Sequence, residues 1–228
     1  HDRGSGGRME FETVMRGRRS IRAYTPEPVP RELVEQILDE ARWTPSWRNT
    51  QAWSIWVVMG AALERFKERF KEAVENDEPP SPDLVTTSDW PAACSARTAA
   101  LMATRGASLA AAGEDSDPAA ALRRTANLFG APCLLVFGFE DCLAEGYAGF
   151  DTGSLVHAVC LAAFDKGLST CIVATLARYP DLLRELLPES DGKRFVVAVT
   201  LGHADLEAAA NCFERTRADL DELVTWWE

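Results

Sequence analysis

The sequence predicts an α+β fold in which helices surround a small sheet. Apolar residues recur at helical spacing, as in Leu33, Val34, Ile37, Leu38 and Ala41. Strand-like runs are few and short, at 53–58, 133–139, 169–174 and 195–201. The last is continuously apolar, the pattern of a strand covered on both faces. With 228 residues, 46% hydrophobic and 26% charged, the chain can bury a core without covalent staples. One domain over 9–228 is expected. Residues 1–8 resemble an expression-tag remnant ahead of Met9 and stand outside the fold reading.

Phe11, Val14 and Met15 predict a short first helix. Pro26, Pro28 and Pro30 then force extended chain, with Pro30 suited to the first position of the next helix. That helix stops before Pro45. Residues 53–58 are aromatic and β-branched and predict a buried strand. Leu63, Phe66, Phe70 and Val74 mark a third helix, and 77–88 reads as a mobile loop. The alanine-rich stretch 90–129 predicts helices broken at 113–118. A strand at 133–139 leads to an apolar helix over 152–166, ended by Gly167. A short strand at 169–174, a short helix at 180–187 and the strand at 195–201 follow. The tail, 204–228, has little core of its own, yet its Leu223, Val224, Trp226 and Trp227 must bury against something.

Composition excludes several classes. A pI near 4.8 argues against a nucleic-acid partner. No run of about 18 apolar residues exists to span a membrane. Six cysteines lack any C-x-x-C pairing, four of them in apolar surroundings, which fits a reducing cytoplasm. The three histidines have no metal-ligand spacing, so no metal is expected. His157 lies in an apolar helix and is read as packing or a dimer contact, with a site role as the alternative. No G-x-G-x-x-G follows a strand and no P-loop motif occurs. No Ser-His-Asp arrangement or paired general acid is legible.

Four arginines fall within seven residues: Arg16, Arg18, Arg19 and Arg22. The chain as a whole carries a net charge of −11. A tight cationic knot in an acidic protein reads either as a seat for a small, doubly charged anion or as a solvated basic turn. Guanidinium forks meet phosphate oxygens two at a time, and Ser20 adds a hydroxyl.

The string Arg18-Arg19-Ser20-Ile21-Arg22, then Pro28-Val29-Pro30, then Ala41-Arg42-Trp43-Thr44-Pro45-Ser46-Trp47-Arg48-Asn49-Thr50-Gln51-Ala52-Trp53 resembles the N-terminal signature of the FMN-dependent nitroreductase family. Ala131-Pro132, Asp151-Thr152-Gly153-Ser154-Leu155, Leu201-Gly202, Asn211 and Arg217 agree in order. Pro-Ser-Trp-x-Asn-Thr-Gln and Tyr179-Pro180-Asp181 resemble the nitrobenzoate-reductase-like branch. Two departures are Ala52, where the family commonly has proline, and His203-Ala204 in place of Tyr-Pro. The resemblance implies a mostly antiparallel sheet and a homodimer with FMN at its interface. It also implies a C-terminal strand exchanged between subunits and a variable helical lid over 60–130.

By the same resemblance, Arg18, Arg19, Ser20 and Arg217 hold the FMN phosphate. Arg215 either joins them or is a surface charge. Arg22 lies beside the pyrimidine edge of the flavin, where fixed positive charge favours the reduced form. Pro45, Ser46, Trp47, Asn49 and Gln51 reach the partner's FMN; Trp47 alternatively packs and Gln51 alternatively bonds backbone. Ala174 and Thr175 present backbone N–H to flavin N5. The implied activity passes hydride from NADH or NADPH through the flavin to a nitroaromatic, quinone or similar small acceptor, leaving the protein no side-chain acid to supply. A flavin dehydrogenase or reductive dehalogenase with its own substrate, and a non-enzymatic flavin binder, are the alternatives.

Overall fold

The computed structural model describes residues 9–85 and 87–228. The tag-like residues 1–8 lie outside the described residues. The centre is a four-stranded antiparallel sheet of order β1-β2-β4-β3. Its strands are β1 (Trp53–Met59), β2 (Cys133–Glu140), β3 (Ser169–Val173) and β4 (Lys193–Gly202). Residues 133–139 of β2 are buried throughout because helices cover both faces. Leu134 and Val136 face one core, with Phe66 and Phe70 of α3 (Gly60–Glu75) and Leu182 and Leu183 of α7 (Pro180–Leu186). Cys133, Leu135 and Phe137 face the other, with Ile37 of α2 (Arg31–Ala41) and Leu155 and Val159 of α6 (Glu145–Asp165). The period of two along β2 thus divides the molecule into two apolar layers.

The expected α+β class stands, with several local corrections. Strand β1 is an edge strand, half-buried along most of its length rather than interior. Pro30 flanks α2 in extended conformation, and the helix starts at Arg31. Helix α6 begins at Glu145, before the expected 152. In α1 (Phe11–Gly17) only Val14 is buried. Asp83, in the expected loop, is held in place: both its carboxylate oxygens accept from Arg184 Nη2, at 2.7 and 2.8 Å, and one also accepts from Phe195 N–H. Three cysteines, Cys133, Cys160 and Cys171, are buried rather than four; all six are free. Burial pushes the Cys133 thiol up to about 12.

Helices α4 (Ala92–Ala111) and α5 (Pro118–Ala126) stand over the end of β3. Of α4 only Leu109 is buried. The tail carries a short α8 (Leu220–Leu223) and leaves Trp226 and Trp227 exposed.

Gly202, at the end of β4, makes room for the chain that leads to the cationic segment. A Cβ there would lie 2.6 Å from Pro132 Cδ and 2.9 Å from Tyr24 Cδ1. Gly202→Ala is expected to cost about 1–3 kcal/mol by overpacking. A thermal melt reads this as a fall of about 2–4 °C per kcal/mol; an unshifted melt means the contact yields freely.

Candidate functional site

After α1 the chain runs extended past the start of β3. Ser20 bridges Thr170, and Ile21 N–H donates to Thr170 O at 2.9 Å. Ile21 and Tyr24 anchor the segment in a small core with Ala131. The Tyr24 hydroxyl shares a 2.9 Å hydrogen bond with Thr200 Oγ1, and burial lifts its pKa well above the ordinary phenol value. This leaves Arg18, Arg19, Ser20 and Arg22 partly exposed beside the sheet.

The C-terminal segment closes on the same spot. Asn211, buried, accepts from Arg22 N–H at 2.7 Å and donates to Ala23 O and Asp205 O. Arg19 Nη2 donates to Phe213 O at 2.8 Å, and its guanidinium lies 4.9 Å from the Phe213 ring centroid. Arg215 donates to the carbonyls of Arg16 and Arg18, so it clasps the backbone of the loop. Arg217 is exposed and donates only to the carbonyl of its neighbour Thr216 among the described residues.

Five guanidiniums therefore gather from both ends of the chain. Among the described residues none of Arg18, Arg19, Arg22, Arg215 and Arg217 is in an ion pair. Desolvation above all, aided by neighbouring guanidiniums and at Arg19 opposed by Cys212, holds Arg19 and Arg215 below the ordinary guanidinium value. Arg18 Nε and Arg19 Nε are buried with no hydrogen-bond partner. An unpartnered buried donor costs roughly 1–3 kcal/mol. An anion placed here would relieve both the unpaired donors and the mutual repulsion.

Arg22 carries the positive charge onward into a cavity of about 770 Å³. Its floor is the end of β3, from Cys171 to Val173, continued by Ala174 and Thr175. Its other walls come from α4 and α5, with Met102, Leu109 and Leu122 as apolar lining. Arg105, Arg124 and Arg178 also line it, and sequence reading missed all three. A signal existed: α4 and α5 carry four arginines and no acidic residue, in a strongly acidic protein.

The 45–51 string forms a second group. Arg48, Asn49 and Gln51 have φ of 51°, 58° and 48°, left-handed backbone that non-glycine residues seldom adopt. Such strain clusters where a loop is shaped for a ligand or partner. Ser46 Oγ accepts from Gln51 N–H, Asp151 accepts from Trp47 N–H at 2.9 Å, and Gln51 Nε2 donates to Asn49. The Trp47 ring stacks on Tyr147 of α6 at 5.2 Å. Pro45, like Trp47, Asn49 and Gln51, is exposed. Among the described residues none of this string lines the cavity or bonds to the cationic cluster. The structure thus brings Arg18, Arg19, Ser20, Arg22, Arg215, Ala174 and Thr175 to one side and holds 45–51 apart. His157 sits exposed on α6, not packed in the core, and desolvation and Arg18 lower its pKa.

A family model described as the nitroreductase family matches residues 15–203. The chain belongs to the nitroreductase family. It is 30% identical over 210 residues to the 4-nitrobenzoate reductase of Pseudomonas putida, covering 91% of each chain. The FMN-dependent nitroreductase NfnB of Mycobacterium smegmatis, solved in complex with NADPH, superposes with a TM-score of 0.87 at 26% identity. That superposition covers 95% of this chain and 97% of the other. The FMN- and NADPH-dependent NfnB of Sphigopyxis sp. strain HMH gives 0.88 at 26% identity, over 96% and 100%. The nitroreductase match takes in the arginine cluster, the 45–51 string and β3, but stops before Asn211, Arg215 and Arg217. Among the described residues no group of three metal-ligating side chains occurs, and no helix is long and apolar enough to cross a membrane.

Proposed function

We propose that this nitroreductase-family chain is an FMN-dependent NAD(P)H oxidoreductase acting on nitroaromatics, quinones or related electron-poor acceptors. The observation that carries the reading is the pair of buried, unpartnered donors, Arg18 Nε and Arg19 Nε, within a cluster of five uncompensated guanidiniums. A phosphate ester of charge near −2 fits that deficit in sign and in hydrogen-bonding capacity. Arg18, Arg19, Ser20 and Arg217 are assigned to the phosphate. Arg215 spends its donors on Arg16 O and Arg18 O, so its role is to shape the loop. Arg22 opens onto the cavity where a ring system would lie and supplies positive charge to its pyrimidine edge. Ala174 and Thr175, at the end of β3, offer backbone N–H groups from the opposite wall. Bound FMN would supply the hydride chemistry, accepting from NAD(P)H and giving to the acceptor.

What one chain leaves unfinished supports a homodimer. The 45–51 string is shaped and polar yet remote from its own chain's cavity, so it is assigned to the partner's flavin. Tyr147, Phe150, Trp226 and Trp227 are exposed apolar surface on α6 and the tail. Strand β1 is a sheet edge, suited to a strand from the partner's C-terminus. Within 60–130, α4 and α5 act as the lid while α3 packs in the core, and the unpaired cysteines suit a reducing cytoplasm.

Purified protein is expected to be yellow, to run at twice the chain mass, and to bleach anaerobically with NADH or NADPH. Colour should return on adding a nitroaromatic. A colourless protein without affinity for added FMN would overturn the reading. Intact FMN binding without bleaching would favour the dehydrogenase or dehalogenase alternative.

A further inference from the structure

The cavity over β3 holds more positive charge than a flavin edge requires. Arg22, Arg105, Arg124 and Arg178 all line it, and among the described residues no carboxylate does. Among the described residues none of the four is in an ion pair. Each also keeps donors free. Arg22 gives one N–H to Ser20 O at 3.4 Å, and Arg124 gives one to Asp115 O at 2.8 Å. Arg105 and Arg178 have no side-chain hydrogen bond among the described residues, though Arg105 lies 6.0 Å from the Phe213 ring. The charges feel one another: after desolvation, Arg22 and Arg124 help hold Arg105 below the ordinary guanidinium value. The remaining wall is apolar, with Met102, Leu109, Phe129, Ile172 and Val173.

These positions divide the work. Arg22 arrives with the phosphate loop, and Arg105 is coupled to it electrostatically. Arg124 comes from α5 and Arg178 from the turn after β3 (Leu176–Arg178), two elements outside the phosphate cluster. An apolar slot lined also by forked cations suits a flat body bearing a planar anion.

We propose that Arg124 and Arg178 are specificity residues that receive a carboxylate on the aromatic acceptor. The inference rests on the oxidoreductase reading above and names the substrate class of that site. The net charge of the chain, −11, repels such anions at long range. A local patch of guanidiniums is then what makes an anionic acceptor welcome at all.

The test compares 4-nitrobenzoate with 4-nitrobenzamide, a neutral acceptor of nearly the same shape, on FMN-loaded protein. The wild type should favour the carboxylate in kcat/KM by about tenfold to a hundredfold, the scale of hydrogen bonds to charged groups. In Arg124→Gln/Arg178→Gln that ratio should fall to near one through KM for the carboxylate, and Lys at both positions should restore part of it. A merely structural role scales both acceptors alike. Redox-inert benzoate, titrated by calorimetry against benzamide, gives a second readout that needs no turnover and no variant. Equal wild-type affinity for benzoate and benzamide overturns the proposal. So does a double variant whose only change is a raised KM for NADPH with none for NADH, which assigns the arginines to the coenzyme's phosphate. Failure of FMN binding or of NAD(P)H bleaching refutes the oxidoreductase reading; bleaching with no charge preference refutes this inference alone.

Discussion

Arg18→Ala is expected to weaken FMN binding by about 1.5–3 kcal/mol, roughly tenfold to a hundredfold or more in Kd. The side chain sits in the cationic knot with Nε buried and unpartnered. That N–H donor therefore has no partner in the free protein. Two consequences of opposite sign follow. Without FMN, the variant loses a like charge and a stranded donor, so its melting temperature should hold or rise. With saturating FMN, it should lose part of the stabilisation that ligand binding gives the wild type, since that gain scales with the logarithm of ligand over Kd. Titrating apoprotein with FMN by fluorescence, then melting with and without FMN, reads both. Arg18→Lys keeps charge but loses the fork, and belongs between the two. A fall in the apoprotein melt with unchanged FMN affinity would make Arg18 a structural residue and dissolve the phosphate assignment.

Much of this site could be read before any coordinates, but unevenly. The helices α2 and α3 were legible because their apolar stripes repeat cleanly, and β4 because its apolar run is continuous. Helix α6 was cut short because Gly146, Gly149 and Gly153 interrupt the apolar pattern of its first turns. Strand β1 read as interior because Trp53, Ile55, Trp56 and Val57 have interior composition, yet it is an edge. Such composition on an edge fits a surface reserved for a partner. The arginine cluster was legible as local charge density. Arg105, Arg124 and Arg178 were not, since a lone arginine on a helix looks like a solvated one until the fold brings several to one cavity. The left-handed backbone of Arg48, Asn49 and Gln51 leaves no mark on residue identity, because none of them is glycine.

Asn211 shows how a polar core residue can join these parts, and Asn211→Ala should destabilise the protein by about 2–4 kcal/mol. The side chain is 4% exposed and makes three hydrogen bonds: from Arg22 N–H, to Ala23 O and to Asp205 O. Alanine leaves the Arg22 N–H and the Asp205 carbonyl to find water or go without, at roughly 1–3 kcal/mol for each that stays buried, while Ala23 O keeps the Asp205 N–H. For a chain of this size the melt should drop by roughly 5–15 °C. The loss also reaches the site. Ala210 lines the cavity, and Ser108 Oγ of α4 lies 2.8 Å from the carbonyl oxygens of both Ala209 and Cys212, one of which accepts its proton. Loosening 209–213 frees α4 and the Phe213 carbonyl that holds Arg19. FMN affinity should therefore fall although Asn211 itself is hydrogen-bonded only to backbone. Asn211→Asp sharpens the test: it keeps an acceptor for Arg22 N–H but turns a carboxylate toward two carbonyl oxygens. Its melt should fall by at least as much as that of the alanine variant. If both variants melt within about 2 °C of wild type, less than 1 kcal/mol on the same scale, Phe213 and Arg215 alone dock the C-terminal segment. The cationic loop would then owe its shape to β3 and not to the tail.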